Sequence, residues 1–276
     1  MTVSINTNKS ALVSLQNLNA TNEDIISVQN KISTGRRVEN AKDNASIWTI
    51  AQNQRGDLGS LNSVRMGLDR ATSIAEVALT AGTNISDLFN LLKEKVVAAR
   101  DTTIDTTSRN LLNQDYRSLI NQINRATQSA EFDGTNIFDG SLTGPLNFIA
   151  DANSNLNITL TAQNLSFGGS IVTLAATDSI TTASLAAVAL GKVQASIANI
   201  NSALGALGSQ LRQIEAHNVF LSKLSDAVET GISNLVDANL AKESARLQAL
   251  NVKQELGTQA LSIANRQPQQ ILNLFK

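Results

Sequence analysis

His217 is the only histidine and there is no cysteine, so the side chains that most often hold zinc cannot assemble into a set here. A His-Glu-x-x-His run, which would put two imidazoles and a glutamate base on one helix face, is absent. The stretch DANSNLN, with Asp151, Asn153 and Asn155, offers the oxygens of a calcium loop. It has Leu156 where the sharp turn needs glycine and Ala162 where a bidentate glutamate belongs, so it reads as a polar hairpin loop. No glycine-rich loop is placed to cradle a phosphate. His217 therefore reads as a structural group, and Trp48, the one tryptophan, as a packing anchor at a joint. The expectation is a protein that is not an enzyme, with no catalytic, cofactor-binding or metal-binding residues.

Composition agrees with that reading. Aromatic residues are 3% of the chain, too few for the bulky core of a compact enzyme, while the apolar 42% is mostly Leu, Ile, Val and Ala at helical spacing. A formal charge of -1 with both signs interspersed gives no basic stripe for nucleic acid and no polybasic patch for a membrane, so neither is expected as a partner. The opening MTVSINTNKSALVSLQNLN has one lysine and no continuous apolar run, so neither a cleavable signal peptide nor a membrane-spanning helix is expected there.

The elements that carry these residues are long helices. From Ile197 apolar residues recur at alternating steps of three and four: Ile200, Leu204, Leu207, Leu211, Ile214, Leu221, Val228, Ile232 and Leu235, with Asn218 and Ser225 the polar members of the line. That is a heptad seam facing other helices. It loses step at Asn239 and resumes one residue later with Leu240, Leu247, Leu250, Leu261 and Ala264, a register shift that changes what the helix faces. At the other end Leu12, Leu15, Leu18, Ile25, Val28 and Ile32 share one face, and Gly35 marks the helix stop. A connector follows and turns helical near Ala45. A second helical run to Ala99 is carried by Ile74, Val77, Ala81, Ile85, Leu88, Leu92 and Val96. The TTIDTTS segment breaks it, because consecutive Thr and Ser side chains compete for the backbone, and a third helix carries Leu112, Tyr116, Leu119, Ile123 and Ala126. Residues 131–184 change character: Gly, Asn, Ser and Thr cluster, and alternation near 146, from Leu156 and from Ser170 predicts short strands.

The fold class expected is mainly α: a long antiparallel helical, coiled-coil rod formed by both termini, with a small β-rich hairpin cap at the distal end. The terminal segments hold few large apolar side chains for their length, too few to offset the ordering of so much backbone by themselves. They are expected to become ordered as neighbouring copies bury their remaining faces, so self-assembly is the function the ends point to.

Four stretches then carry a resemblance. SINTNKSALVSLQNLN, KISTGRRVENAKDNASIWTIAQ, the EFDGTNIF turn and the ending NLVDANLAKESARLQALNVKQELGTQALSIANRQPQQILNLFK resemble bacterial flagellins, in the right order and over about four-fifths of the chain, and in particular the short flagellins of alphaproteobacteria. The resemblance implies a structural subunit that self-assembles into the flagellar filament for motility, extracellular and exported through the type III channel. It implies inner-tube segments at 1–40 and 238–276, rod segments at 41–130 and 185–237, and a short variable cap at 131–184. The connector between tubes would use Gly35, Arg36, Ala41, Lys42, Asp43 and Trp48. Contacts between copies are expected from Leu12, Leu15, Leu18, Ile25, Val28 and Ile32 at one end. At the other end they are expected from Leu247, Leu250, Leu261, Ala264, Ile271, Leu272, Leu274 and Phe275. Partners implied are other flagellin subunits in a homopolymer, hook-filament junction and cap proteins, and a flagellar export chaperone; no cofactor is implied. A hook-filament junction protein and a surface polysaccharide-binding flagellin homologue are the alternatives.

Overall fold

The computed structural model describes residues 7–273, with side chains described for 7–266. The described elements are α1 (Lys9–Thr34), α2 (Ala45–Arg100), α3 (Thr106–Gln128), β1 (Glu131–Phe132), β2 (Thr135–Asn136), β3 (Leu146–Ile149), β4 (Asn157–Leu160), α4 (Ala183–Val236) and α5 (Leu240–Asn273). The protein is mainly α. The chain divides into two compact units, one from the two ends, up to Gly56 and from Ala227, and one from Asp57–Asp226.

The helix boundaries follow from side chains that satisfy orphan backbone groups. Asn8 accepts from the Ala11 amide at 3.1 Å, Asn44 from Ile47 at 3.0 Å, Asp105 from Ser108 at 2.9 Å, and Asn239 from Lys242 at 3.1 Å. Gly35 ends α1 at φ 69°, a left-handed conformation that a side chain disfavours. Between α2 and α3 the Thr-rich break is held by Asp101, which accepts from the amide and hydroxyl of Thr103, both at 2.8 Å. Arg109 reaches back to the carbonyl oxygens of Ala99 and Asp101 at 3.0 and 2.7 Å, satisfying the open end of α2.

In the unit Asp57–Asp226, α2 and α4 run antiparallel: Ser86 donates to Asn201 at 3.0 Å, and Asp69 accepts from Asn218 seventeen residues back along α2. The buried line of α2 is Leu61, Val64, Leu68, Ala71, Ala75, Ala78, Gly82, Ile85, Phe89, Leu92, Val96 and Ala99, steps of three and four without a fault. This corrects the expected line: Val77, Ala81 and Leu88 flank the seam half-buried, because small residues at 71–82 let other elements approach most closely there. On α4 the matching line runs through Ala186, Ala189, Val193, Ser196, Ile200, Leu207, Ile214 and Leu221. By length and composition α4 could span a bilayer, but in this unit that line is drawn into the shared core.

The segment between α3 and α4 joins the same core. Ile137, Phe138, Leu160, Leu165, Val172, Leu174 and Ile180 are buried with the helices. β1 and β2 form a tight hairpin through Asp133 (φ 50°) and Gly134 (φ 73°), and Asp133 pairs with Arg70 at 2.8 Å. Asn136 clamps the turn to α3: its amide donates to Thr127 and Gln128, and its carbonyl accepts from Phe138 and Asp139. β3 pairs with β4 antiparallel, as the alternation near 146 and from Leu156 predicts. The third alternating stretch, from Ser170, is not a strand. Val172 and Leu174 are buried, but the Thr173 amide donates to Ser196 of α4 at 3.1 Å, so the period of two survives without a partner strand.

A Cβ on Gly82 would meet Leu204 and the Phe138 ring at 3.1 Å. Gly82→Val is therefore expected to destabilise this unit by about 1–3 kcal/mol, despite valine's better helix propensity, and urea unfolding checks it. Hydrogen bonds from the Thr103 amide and hydroxyl hold the Asp101 carboxyl below its ordinary 3.8, and those from Ser108 hold Asp105 below it. A depressed folded-state value gives stability present above the unfolded value and lost as pH falls through the folded one. Amide exchange at Thr103 and Ser108 should accelerate below pH 3.8 relative to the α2 core.

Candidate assembly interface

The sequence's best candidates for contact between copies lie on α1 and α5, which pair with each other. Their facing lines follow heptad spacing: Ala11, Ser14, Leu18, Thr21, Ile25, Val28 and Ile32 on α1, and Glu243, Leu247, Leu250, Gln254, Gly257, Leu261 and Ala264 on α5. The helices run antiparallel. Asn8 donates to the Ala264 carbonyl at 2.7 Å, Gln254 donates to Asn22 at 2.7 Å, and Ile25, Val28 and Leu250 are buried together with Ile32 and Leu247 against them. A Cβ on Gly257 would come within 3.3 Å of Leu18, closer than ordinary contact, so the glycine makes room for the leucine.

Of the residues expected to touch other copies, several face the partner helix within the chain. Leu18, Ile25, Val28, Ile32, Leu247, Leu250, Leu261 and Ala264 lie on the seam inside the chain. Leu12 and Leu15 point away from it, 58% and 43% exposed. The side chains of Ile271 and Leu272, and the whole of Leu274 and Phe275, lie outside the described residues. The outward face also holds apolar residues outside the heptad lines read from the sequence: Val13 and Ile26 on α1, and Val252, Leu256 and Ile263 on α5, with Ile263 69% exposed. Leu256 and Ile263 are seven apart, so they form a second stripe beside the seam. That spacing was the available signal, hidden because one heptad line was followed.

The connector is a backbone crossing. Arg36 pairs antiparallel with Asp237. The amides of Arg37 and Val38 donate to the Val236 carbonyl at 2.6 and 3.2 Å, and the Ala238 amide donates to Gly35 at 2.8 Å. The Arg37 guanidinium caps α4 by donating to Leu235 at 2.9 Å. The two places where the long helices are interrupted thus satisfy each other. Asp43 accepts from the amides of Glu39 and Asn40, closing the turn before α2. Ala41, Lys42 and Asp43 are exposed and Trp48 is half-buried at the first turn of α2.

The residues weighed for chemistry have structural positions. His217 bonds through Nε2 to the Ala150 carbonyl at 2.7 Å and stacks near Phe220, 5.7 Å between centroids. Asp151 accepts from the Leu156 amide at 3.0 Å inside the β3–β4 hairpin loop.

Two family models match the chain: the bacterial flagellin N-terminal helical region over residues 5–143, and the bacterial flagellin C-terminal helical region over 190–275. Flagellin FljJ of Caulobacter vibrioides is 50% identical over 280 residues, covering 100% of this chain and 99% of that protein. The chain belongs to the bacterial flagellin family. A flagellin of Brucella melitensis is 36% identical, with 99% of each chain covered. A putative flagellar hook-associated protein from Vibrio parahaemolyticus shares the fold, with a TM-score of 0.59 at 9% identity over 71% of this chain and 100% of that one. This flagellin is a structural protein that self-assembles with other flagellin subunits into the flagellar filament of motile bacteria, and is not an enzyme.

Gly35 has open space around its missing Cβ, so a side chain there meets strain in the backbone and no clash. Gly35→Val is expected to cost about 1–2 kcal/mol, the left-handed penalty for a side-chain-bearing residue. Faster exchange of the Ala238 amide, whose acceptor is the Gly35 carbonyl, checks that the loss falls on the crossing.

Proposed function

We propose that the α1–α5 pair, with 1–40 and 238–276, forms the inner layer of the flagellar filament, that 41–130 and 185–237 form the outer layer, and that 131–184 lies outermost. The observation that carries this is the second apolar face. With the seam between α1 and α5 closed, Leu12, Val13, Leu15, Ile26, Val252, Leu256 and Ile263 remain exposed on the pair. Each such side chain gains roughly 1.5–3 kcal/mol when fully buried, so repeated contacts with neighbouring copies supply a strong drive to polymerise.

On this reading the working protein is extracellular and leaves the cell by the flagellar type III channel. The first and last subunits of the polymer meet hook-filament junction and cap proteins, and an export chaperone covers the apolar ends beforehand. Family membership supports these partners.

The double variant Leu256→Gln with Ile263→Gln separates the two faces. Because both positions lie off the seam, the soluble chain should melt within about 0.5 kcal/mol of the parent, as surface substitutions usually do. Filament yield after seeding, read by pelleting and electron microscopy, should fall severely. Normal filaments from the double variant would remove the outward face from the assembly.

A further inference from the structure

In the unit built from the two ends, the first turns of α2 and the last turns of α4 close a seam of their own. Ala51, Ile232 and Val236 are buried there, with Ile47, Val228 and Leu235 against them. Beside that seam lies a groove of about 350 Å³, with Ile50 and Gln54 of α2 and Ala227, Gly231 and Leu235 of α4 among its lining residues. None of the side chains that line it is charged, and Ile50 is 48% exposed. A Cβ added to Gly231 would meet nothing within 4 Å, so no neighbour inside the chain requires a glycine there. A glycine in the middle of a helix disfavours that helix relative to alanine. What the missing side chain does at this position is keep one wall of the groove low.

A filament of one repeated subunit grows through heterologous contacts, in which a patch on one copy fits a different patch on the next. The same unit carries two patches of opposite shape. The projecting one is Leu256 and Ile263, 60% and 69% exposed and seven residues apart on the outward side of α5. The hollow one is the groove. Both are uncharged and mainly apolar, so joining them removes apolar surface from water on each side without burying a charge. We propose that the groove between α2 and α4 receives Leu256 and Ile263 from a neighbouring copy in the filament, and that Gly231 keeps it open for them. The inference rests on the outward face being a contact between copies, as in the assembly reading above, and names the surface that receives it.

Gly231→Leu fills the groove from its own chain. Since the added Cβ meets nothing and leucine favours a helix, the soluble full-length chain should melt no lower than the parent. Seeded elongation should nevertheless slow about tenfold or more, the loss expected when one apolar side chain can no longer be buried at a contact. Because the chain lacks cysteine, introduced thiols identify the neighbour. Ala260 is exposed between Leu256 and Ile263, so Ala260→Cys leaves both projecting side chains in place. Filaments grown from an equal mixture of tagged Gln54→Cys chains and untagged Ala260→Cys chains should give mixed dimers with a short bis-maleimide, while filaments of either variant alone should give few. Filaments that form without mixed dimers, or Gly231→Leu chains that elongate at the parent rate, overturn the proposal. Should Gly231→Leu lower the melting point, the mixed dimers decide alone. If Leu256→Gln with Ile263→Gln stops assembly while Gly231→Leu does not, the outward face stands and the groove assignment falls; if that double variant polymerises normally, both fall.

Discussion

The structure depends on the pairing of the two ends of the sequence. α1 buries only Thr21, Ile25 and Val28 fully along 26 residues, and a helix with so narrow a covered stripe draws its stability from its partner. α5 supplies that partner, and the crossing sets where the pairing begins. There the amides of Arg37, Val38 and Ala238 would be orphaned by the helix interruptions if they did not bond across to the other strand. The same few residues therefore stop α1 and α4 and lead into α5, which packs back on α1.

Much of this was legible in the sequence because its causes are local. Gly35, the Thr-rich break and the loss of step at Asn239 act through φ, capping and period, which need no knowledge of distant residues. The Asn239 shift appears in the structure as a complete interruption between Val236 and Leu240. The side of α2 that is buried was less legible. Leucine and isoleucine positions suggested one line, yet the structure follows Ala71, Ala75, Ala78 and Gly82, which are chosen for what they admit and not for what they bury. Phe138, more than fifty residues away, fills the space that Gly82 leaves. The stretch from Ser170 keeps its alternation but loses its partner strand to a single serine on α4, a choice that periodicity does not encode.

The same limit explains the interface. A heptad line identifies the strongest stripe on a helix, and on α1 and α5 that stripe is closed within the chain. What stays exposed is a weaker set off that seam, with Leu256 and Ile263 spaced by the same seven residues. A subunit that must fold and then polymerise needs both, and the sequence writes them on top of each other.

The contacts that close the terminal seam join residues 232 and 256 positions apart. Closing so long a loop is entropically slow, and no local substitute exists for it. α1 thus leaves the ribosome well before its mate, since Gln254 lies 232 residues downstream of Asn22. Until α5 is made, α1 is an amphipathic segment whose seam has no mate within the nascent chain.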